Sequence, residues 1–397
     1  VTTLAALRAN PNALSVHYGR FGVADRLLLT GHSHQAWPDV ALNGQVEAFT
    51  DASTAVDAKW DLAFAKAERL RQAYRDLLGD GDRDTGGDIA LGANTHELVV
   101  RFLSSLDLRA RPRLVTTDGE FHTLRRQLAR LAEEGVEVVR VAAAPAETLA
   151  ERLAAEVDDR TAAVLVSAVL FETSRIVPSL DGVGAACRYQ GAELLVDAYH
   201  ALGVAPFSMR GLESAWITGG GYKYLQLGEG NCFLRLPSHA QDLRPVITGW
   251  FAEFEDLTSK ASGLVGYAPG GDRFAGSTYD PTSHYRAAAV LDFFASHQLT
   301  PSFLREVSLH QNGLLASLFD DLDASPDVIT RDRSAPREAF GGFLALTAPA
   351  AGKLQEKLAE RGVLTDSRGD KLRLGPAPYL SDSQLEAAIA TLGEVLR

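Results

Sequence analysis

Leu194-Leu195-Val196-Asp197-Ala198-Tyr199-His200 is an apolar run that ends in a carboxylate. Short runs of this kind, leucine and valine without alternation, read as strands buried on both faces of a parallel sheet. The residue at the carboxyl end of such a strand stands where α/β folds bind their ligands, so Asp197 is the first candidate for a site. Ile217-Thr218-Gly219-Gly220-Gly221-Tyr222-Lys223-Tyr224 follows, a second run that passes through glycines into a lysine. Small glycines let that lysine approach a bound molecule closely.

Upstream of this pair, strand and helix patterns alternate. Ile89-Ala90-Leu91 is followed by a helix from Thr95, a strand over 113–116 and a helix over 123–134. Strands over 136–141 and 162–167 and helices around 146–155 and 183–190 continue the rhythm as far as Leu194. Such alternation predicts an α/β fold with a mostly parallel sheet flanked by helices. Residues 1–42 read as an arm, with a short helix, a strand over 26–30 and a polar turn over 31–35, packing with a small domain. Helical spacing from Asn43 through Trp60 to Leu78, then the turn-forming run 79–87, opens a large domain over 43–280 that ends in a Gly-rich loop, 263–280. A helix over 285–296 leads into a smaller α+β C-terminal domain, 281–397.

The 397 residues are 46% hydrophobic and 23% charged, enough for a sizeable core, and the net charge of −12 argues against a general nucleic-acid binder. Two cysteines, Cys187 and Cys232, build no disulfide framework and lack zinc spacing, which points to the cytoplasm. No stretch approaches the roughly 18 uncharged residues of a membrane span. His32 and His34 alternate without a matched carboxylate or cysteine, so no metal is expected there; substrate contact or proton shuttling suits them better.

A lysine amine and a buried carboxylate are the two groups that pyridoxal 5'-phosphate (PLP) chemistry needs. The amine forms a Schiff base, and the carboxylate faces the pyridine nitrogen so that the protonated ring can act as an electron sink. At these residues the sequence resembles the class V aminotransferase superfamily of fold-type I PLP-dependent enzymes, and within it kynureninase. The likeness is carried by Val196-Asp197-Ala198-Tyr199-His200-Ala201-Leu202-Gly203, by Gly221-Tyr222-Lys223-Tyr224-Leu225 and by Gly228-Glu229-Gly230. It implies Lys223 as the Schiff-base lysine, Asp197 at the pyridine nitrogen, Tyr222 as a further catalytic group, and Tyr222 with His200 at the phosphate end. Asn94 and Thr95 begin a helix with Glu97 three residues on, a box-like start suited to an anion, where the superfamily binds the cofactor phosphate. Phe121 resembles the aromatic residue that stacks on the cofactor. Trp250, Ser277 and Thr278 resemble cofactor-binding positions of the family, the last two in a loop that reaches a neighbouring subunit, which implies a homodimer. Arg373, in Leu372-Arg373-Leu374-Gly375-Pro376, resembles the arginine that takes the substrate carboxylate.

The resemblance implies an amino-acid substrate and hydrolytic C–C cleavage. Class V transamination and β-elimination share the same early steps and stay open, as does a catalytically silent partner protein of this fold. The segments 30–35 and 226–229 depart from kynureninase, which leaves the substrate open. Desulfuration is disfavoured because neither cysteine lies in a mobile C-terminal loop. A nicotinamide-dependent dehydrogenase lacks its G-x-G-x-x-G, and a nucleotide hydrolase lacks the Walker spacing.

Overall fold

The computed structural model describes residues 2–79, 87–256 and 263–397, so most of the turn expected over 79–87 lies outside the described residues. The arm contributes β1 (Leu27–Leu28), shorter than the strand expected over 26–30. Seven strands then form the central sheet: β2 (Asp88–Gly92), β3 (Arg113–Thr117), β4 (Glu137–Val141), β5 (Thr161–Ser167), β6 (Glu193–Asp197), β7 (Trp216–Gly220) and β8 (Cys232–Leu236). Their order is β2-β8-β7-β6-β5-β3-β4. The pairs among β7, β6, β5, β3 and β4 are parallel, whereas β8 runs antiparallel to both β7 and β2. The sheet is therefore mostly parallel, with the reversal at the β2 edge where β7 returns directly as β8 without a crossover helix.

Every residue of β5 and β7 is buried, which explains why these strands carry no polar alternation. Trp216 at the start of β7 is fully buried between Phe102 at 5.2 Å and Phe274 at 5.1 Å. The helix Thr282–Ser296 packs against the helices Val40–Ala55 and Lys59–Leu78. Gly44 permits this approach, since a Cβ there would lie 2.5 Å from the Tyr285 carbonyl oxygen.

After the long helix Pro301–Asp321, whose first turn is capped by Thr300, come β9 (Thr330–Arg331), β10 (Leu344–Thr347), β11 (Val363–Leu364), β12 (Asp366–Arg368) and β13 (Lys371–Leu374). Four of them form an antiparallel sheet, β12-β13-β10-β9, while β11 pairs in parallel with β1 of the arm. A bridge between Thr30 and Gly375 extends that seam. The arm is also tied to the loop after Lys223. Gln226, held in the left-handed region at φ 59°, accepts the Tyr18 hydroxyl at 2.5 Å and donates to Gln35 Oε1 at 2.8 Å. Gln226 stands where the sequence departs from the kynureninase turn, and here it anchors the arm over the lysine loop.

Candidate active site

The carboxyl ends of β3, β5, β6 and β7 converge on a cavity of about 290 Å³, lined by Asn94, Thr95, Phe121, Asp197, His200, Tyr222 and Lys223 among others. Seven of the residues singled out from sequence therefore meet in one pocket. Asp197 ends β6; its Oδ1 accepts the Tyr199 N–H at 2.8 Å, and the residue lines the cavity. Burial raises its pKa, while the Tyr199 N–H and the charge of Lys223 act the other way.

Lys223 is 6% exposed, and its amine is ringed by Tyr199, Phe121 and Tyr222 at 5.1, 5.6 and 5.7 Å from the ring centroids. Burial brings its pKa down to about 7 against the pull of Asp197. The amine is thus substantially uncharged near neutrality, the form that attacks a carbonyl. Gly220 brings the chain close to the wall, because a Cβ there would meet the Tyr199 hydroxyl at 2.3 Å. His200, expected at the phosphate end, lines the same pocket, with its Nε2 2.5 Å from Lys223 Nζ. Burial, with Lys223 beside it, lowers its pKa well below the ordinary histidine value, so the ring is neutral.

At the pocket's edge the helix Thr95–Ser104 begins, capped by Asn94, whose Oδ1 accepts the Glu97 N–H at 3.0 Å while its Nδ2 donates to Glu97 Oε1 at 3.1 Å. The remaining free N–H groups of that first turn suit an anion. Phe121 caps the helix His122–Glu133, and its ring stands edge-on to Phe171 at 5.4 Å. Tyr222 stacks with His34 at 4.7 Å and 19°, and His34 Nε2 lies 3.6 Å from Glu229 Oε1.

Four other expected positions, Trp250, Ser277, Thr278 and Arg373, stand apart from this pocket. Trp250 is 43% exposed and packs on Phe251 and Phe254. Ser277 and Thr278 line a larger cavity of about 1060 Å³ that meets the first at Ala93, Glu229 and Gly230. Arg373 is buried; it donates from Nη1 to the Phe171 carbonyl at 2.7 Å and pairs through Nη2 with Asp366. Its charge still acts on Lys223, but the guanidinium already has protein partners.

His32 lies fully buried, its ring 4.6 Å from Phe343 and its Nε2 3.6 Å from Asp366 Oδ2. Burial drives its pKa down to about 4. Residues 31–33 form a turn and not a strand, which sends His32 inward and His34 outward. Glu120, Ser167, Tyr199 and Asp366 were not singled out from sequence. Glu120 and Tyr199 adjoin residues that were, whereas Asp366 lies on a short strand with no local signal. Among the described residues no group of three or more His, Cys, Asp and Glu side chains could hold a metal ion.

The donor set fits PLP: an uncharged buried amine, a carboxylate facing the cavity, an aromatic ring at its wall and a helix N-terminus at its edge. No family model matches the chain. In overall fold it is similar to a C-DES mutant with glycine covalently linked to the PLP cofactor, at a TM-score of 0.79, 19% identity and coverage of 96% of this chain and 98% of that one. It is also similar to the cysteine desulfurase of Thermococcus onnurineus NA1, at a TM-score of 0.77, 15% identity and coverage of 97% and 98%. The fold is that of the fold-type I PLP-dependent enzymes.

In sequence the chain is 26% identical over 341 residues to the kynureninase of Deinococcus radiodurans, covering 84% of this chain and 78% of that protein. It is 27% identical over 313 residues to the kynureninase of Salinispora tropica, covering 74% and 71%. In sequence the chain is thus similar to kynureninases, and in fold to PLP-dependent enzymes of the cysteine desulfurase kind.

Proposed function

We propose that the protein acts on an amino-acid substrate by kynureninase-like hydrolysis of a C–C bond beside a side-chain carbonyl, with PLP as its cofactor. The observation that carries the reading is the buried Lys223 amine sharing one pocket with the Asp197 carboxylate. When bound, PLP captures the substrate amine through its carbonyl carbon and draws electrons from the substrate into its ring.

The chain's own residues supply the rest. Lys223 Nζ holds the cofactor and is the base for the proton on the substrate's α-carbon, a role that its depressed pKa suits. Asp197 would pair with the ring nitrogen, Phe121 would stack on the ring, and the N–H groups and Thr95 hydroxyl at the helix start would hold the phosphate. Tyr222, whose phenol burial pushes up to about 12, stays a neutral hydroxyl and would assist proton transfer by passing its proton on as it takes up another. His34, stacked on Tyr222, would contact the substrate, His32 would act from its buried place beside Asp366, and Arg373 would receive the substrate carboxylate by exchanging a partner.

A homodimer accompanies this reading. Val46, Phe49, Val246, Ile247 and Leu264 are exposed apolar side chains, and Ser277 and Thr278 lie outside the lysine pocket of their own chain. No helix among the described residues is long and apolar enough to cross a membrane. The free, buried Cys187 and Cys232 accord with the cytoplasm.

The test is mass spectrometry after incubation with kynurenine, 3-hydroxykynurenine and a panel of amino acids. Alanine released with an anthranilate is the expected result. A keto acid with the cofactor converted to its amine form overturns hydrolysis in favour of transamination. The PLP reading has its own check, a visible absorption band on adding PLP that Lys223→Ala abolishes.

A further inference from the structure

Glu120 is a buried acid that the proposed mechanism does not use. It stands between Thr117 at the end of β3 and Ser167 at the end of β5, and it is 2% exposed. Its Oε1 accepts the Thr117 hydroxyl at 2.7 Å and the Ser167 N–H at 3.2 Å; its Oε2 lies 2.6 Å from Ser167 Oγ. Among the described residues no basic side chain forms an ion pair with it. Ser167 is in turn the register partner of Asp197 across β5 and β6. Two carboxyls therefore occupy adjacent strand ends, and of the two Asp197 is the one on which Lys223 acts.

Like charges in a shared buried site do not both ionise; one carboxyl keeps a proton. The hydrogen bonds distinguish the two. Oε1 of Glu120 takes two donors, as a carbonyl oxygen does, while Oε2 has a single hydroxyl partner that can accept from it. Asp197 has an N–H donor and Lys223, the surroundings of an anion.

We propose that Glu120 is a positioning residue acting through Asp197: as a neutral acid it carries the proton of the carboxyl pair, leaving Asp197 ionised toward the cofactor's ring nitrogen. This rests on the reading of Asp197 given above. Its consequence is a second negative charge near the ring whenever Glu120 ionises. Burial, with the charge of Asp197 added, pushes the Glu120 pKa up to about 7 against the hydrogen bonds from Ser167 and Thr117. The charge acting on it is that of Asp197 on β6, on which Lys223 acts in turn; Asp118 and His122 are the titratable residues nearest to it in the chain.

The experiment is a carboxyl ¹³C NMR titration of the apoprotein labelled at Glu, with Glu120→Gln identifying the resonance. A midpoint near 7 is expected in the wild type, lowered by about one pH unit in Asp197→Asn, where the neighbouring charge is gone. A midpoint in the ordinary range of 4 to 5, or one that Asp197→Asn leaves unmoved, overturns the proposal. If Glu120→Gln does not fold, Thr117→Val, which removes one hydrogen bond to the same carboxyl, makes the assignment. In the protein loaded with ¹⁵N-labelled PLP, the ring-nitrogen shift should step near pH 7 in the wild type and stay at its low-pH value in Glu120→Gln. A step that persists in that variant also overturns it. Failure of the wild type to take up PLP would defeat the cofactor reading instead, leaving the apoprotein titration to judge Glu120.

Discussion

Replacing Lys223 by methionine should make the cofactor-free protein more stable at neutral pH. The amine is charged to pH 10.5 in the unfolded chain and only to about 7 in the folded one. Folding near neutrality therefore requires the lysine either to lose its proton or to bury its charge. That interval corresponds to about 5 kcal/mol, with the attraction of Asp197 already included. For the sign, between pH 7 and 10.5 the unfolded state binds more protons at this group than the folded state does. Its contribution to stability therefore rises with pH and is most unfavourable below 7.

Methionine keeps the unbranched chain and fills the same space without a charge. Urea denaturation of the two apoproteins should show Lys223→Met ahead by about 5 kcal/mol at pH 6 to 7, by roughly 2 kcal/mol at pH 9, and not at all above pH 10.5. A difference that does not change with pH, or a variant less stable than the wild type at pH 7, would refute the account of a depressed lysine. Stability given up at this one amine is what makes it reactive toward a carbonyl at neutral pH.

Asn94→Ala removes the cap of the helix Thr95–Ser104 and should cost about 1 kcal/mol in denaturation while weakening PLP binding in a spectroscopic titration; unchanged PLP affinity would separate this helix start from the phosphate. Arg373→Met leaves Asp366 buried without its main partner and should cost about 3 kcal/mol, part of which Asp366→Asn should restore in the double variant, read by thermal melts. Burial pushes the thiols of Cys187 and Cys232 up to about 12, so both should react with a thiol reagent at pH 8 on the order of a thousandfold slower than in urea. Rapid labelling of the native protein would contradict that burial.

The parallel sheet was legible because β5, β6 and β7 are buried on both faces and must be continuously apolar, a local property. Asp197 and Lys223 were legible because each closes such a run. Reading β2 as the first of a parallel series missed its place beside the antiparallel β8, since strand order depends on pairings 140 residues apart that leave no local trace. His200 was found by spacing, yet its partner was not, because a turn's side-chain direction depends on what packs behind it.

Local sequence determined which segments become strands and helices, where they stop, and that a carboxylate and a lysine stand at two strand ends. Periodicity and capping act within a few residues, so they survive in the sequence. Tertiary structure alone decided that His32 turns inward to Asp366 and His34 outward to Tyr222, that Asp366 holds Arg373, and that Glu120 lies beside Asp197. Those relations depend on distance and burial between segments far apart in the chain, and burial is also what moves the pKa values of Lys223 and Glu120 toward neutrality.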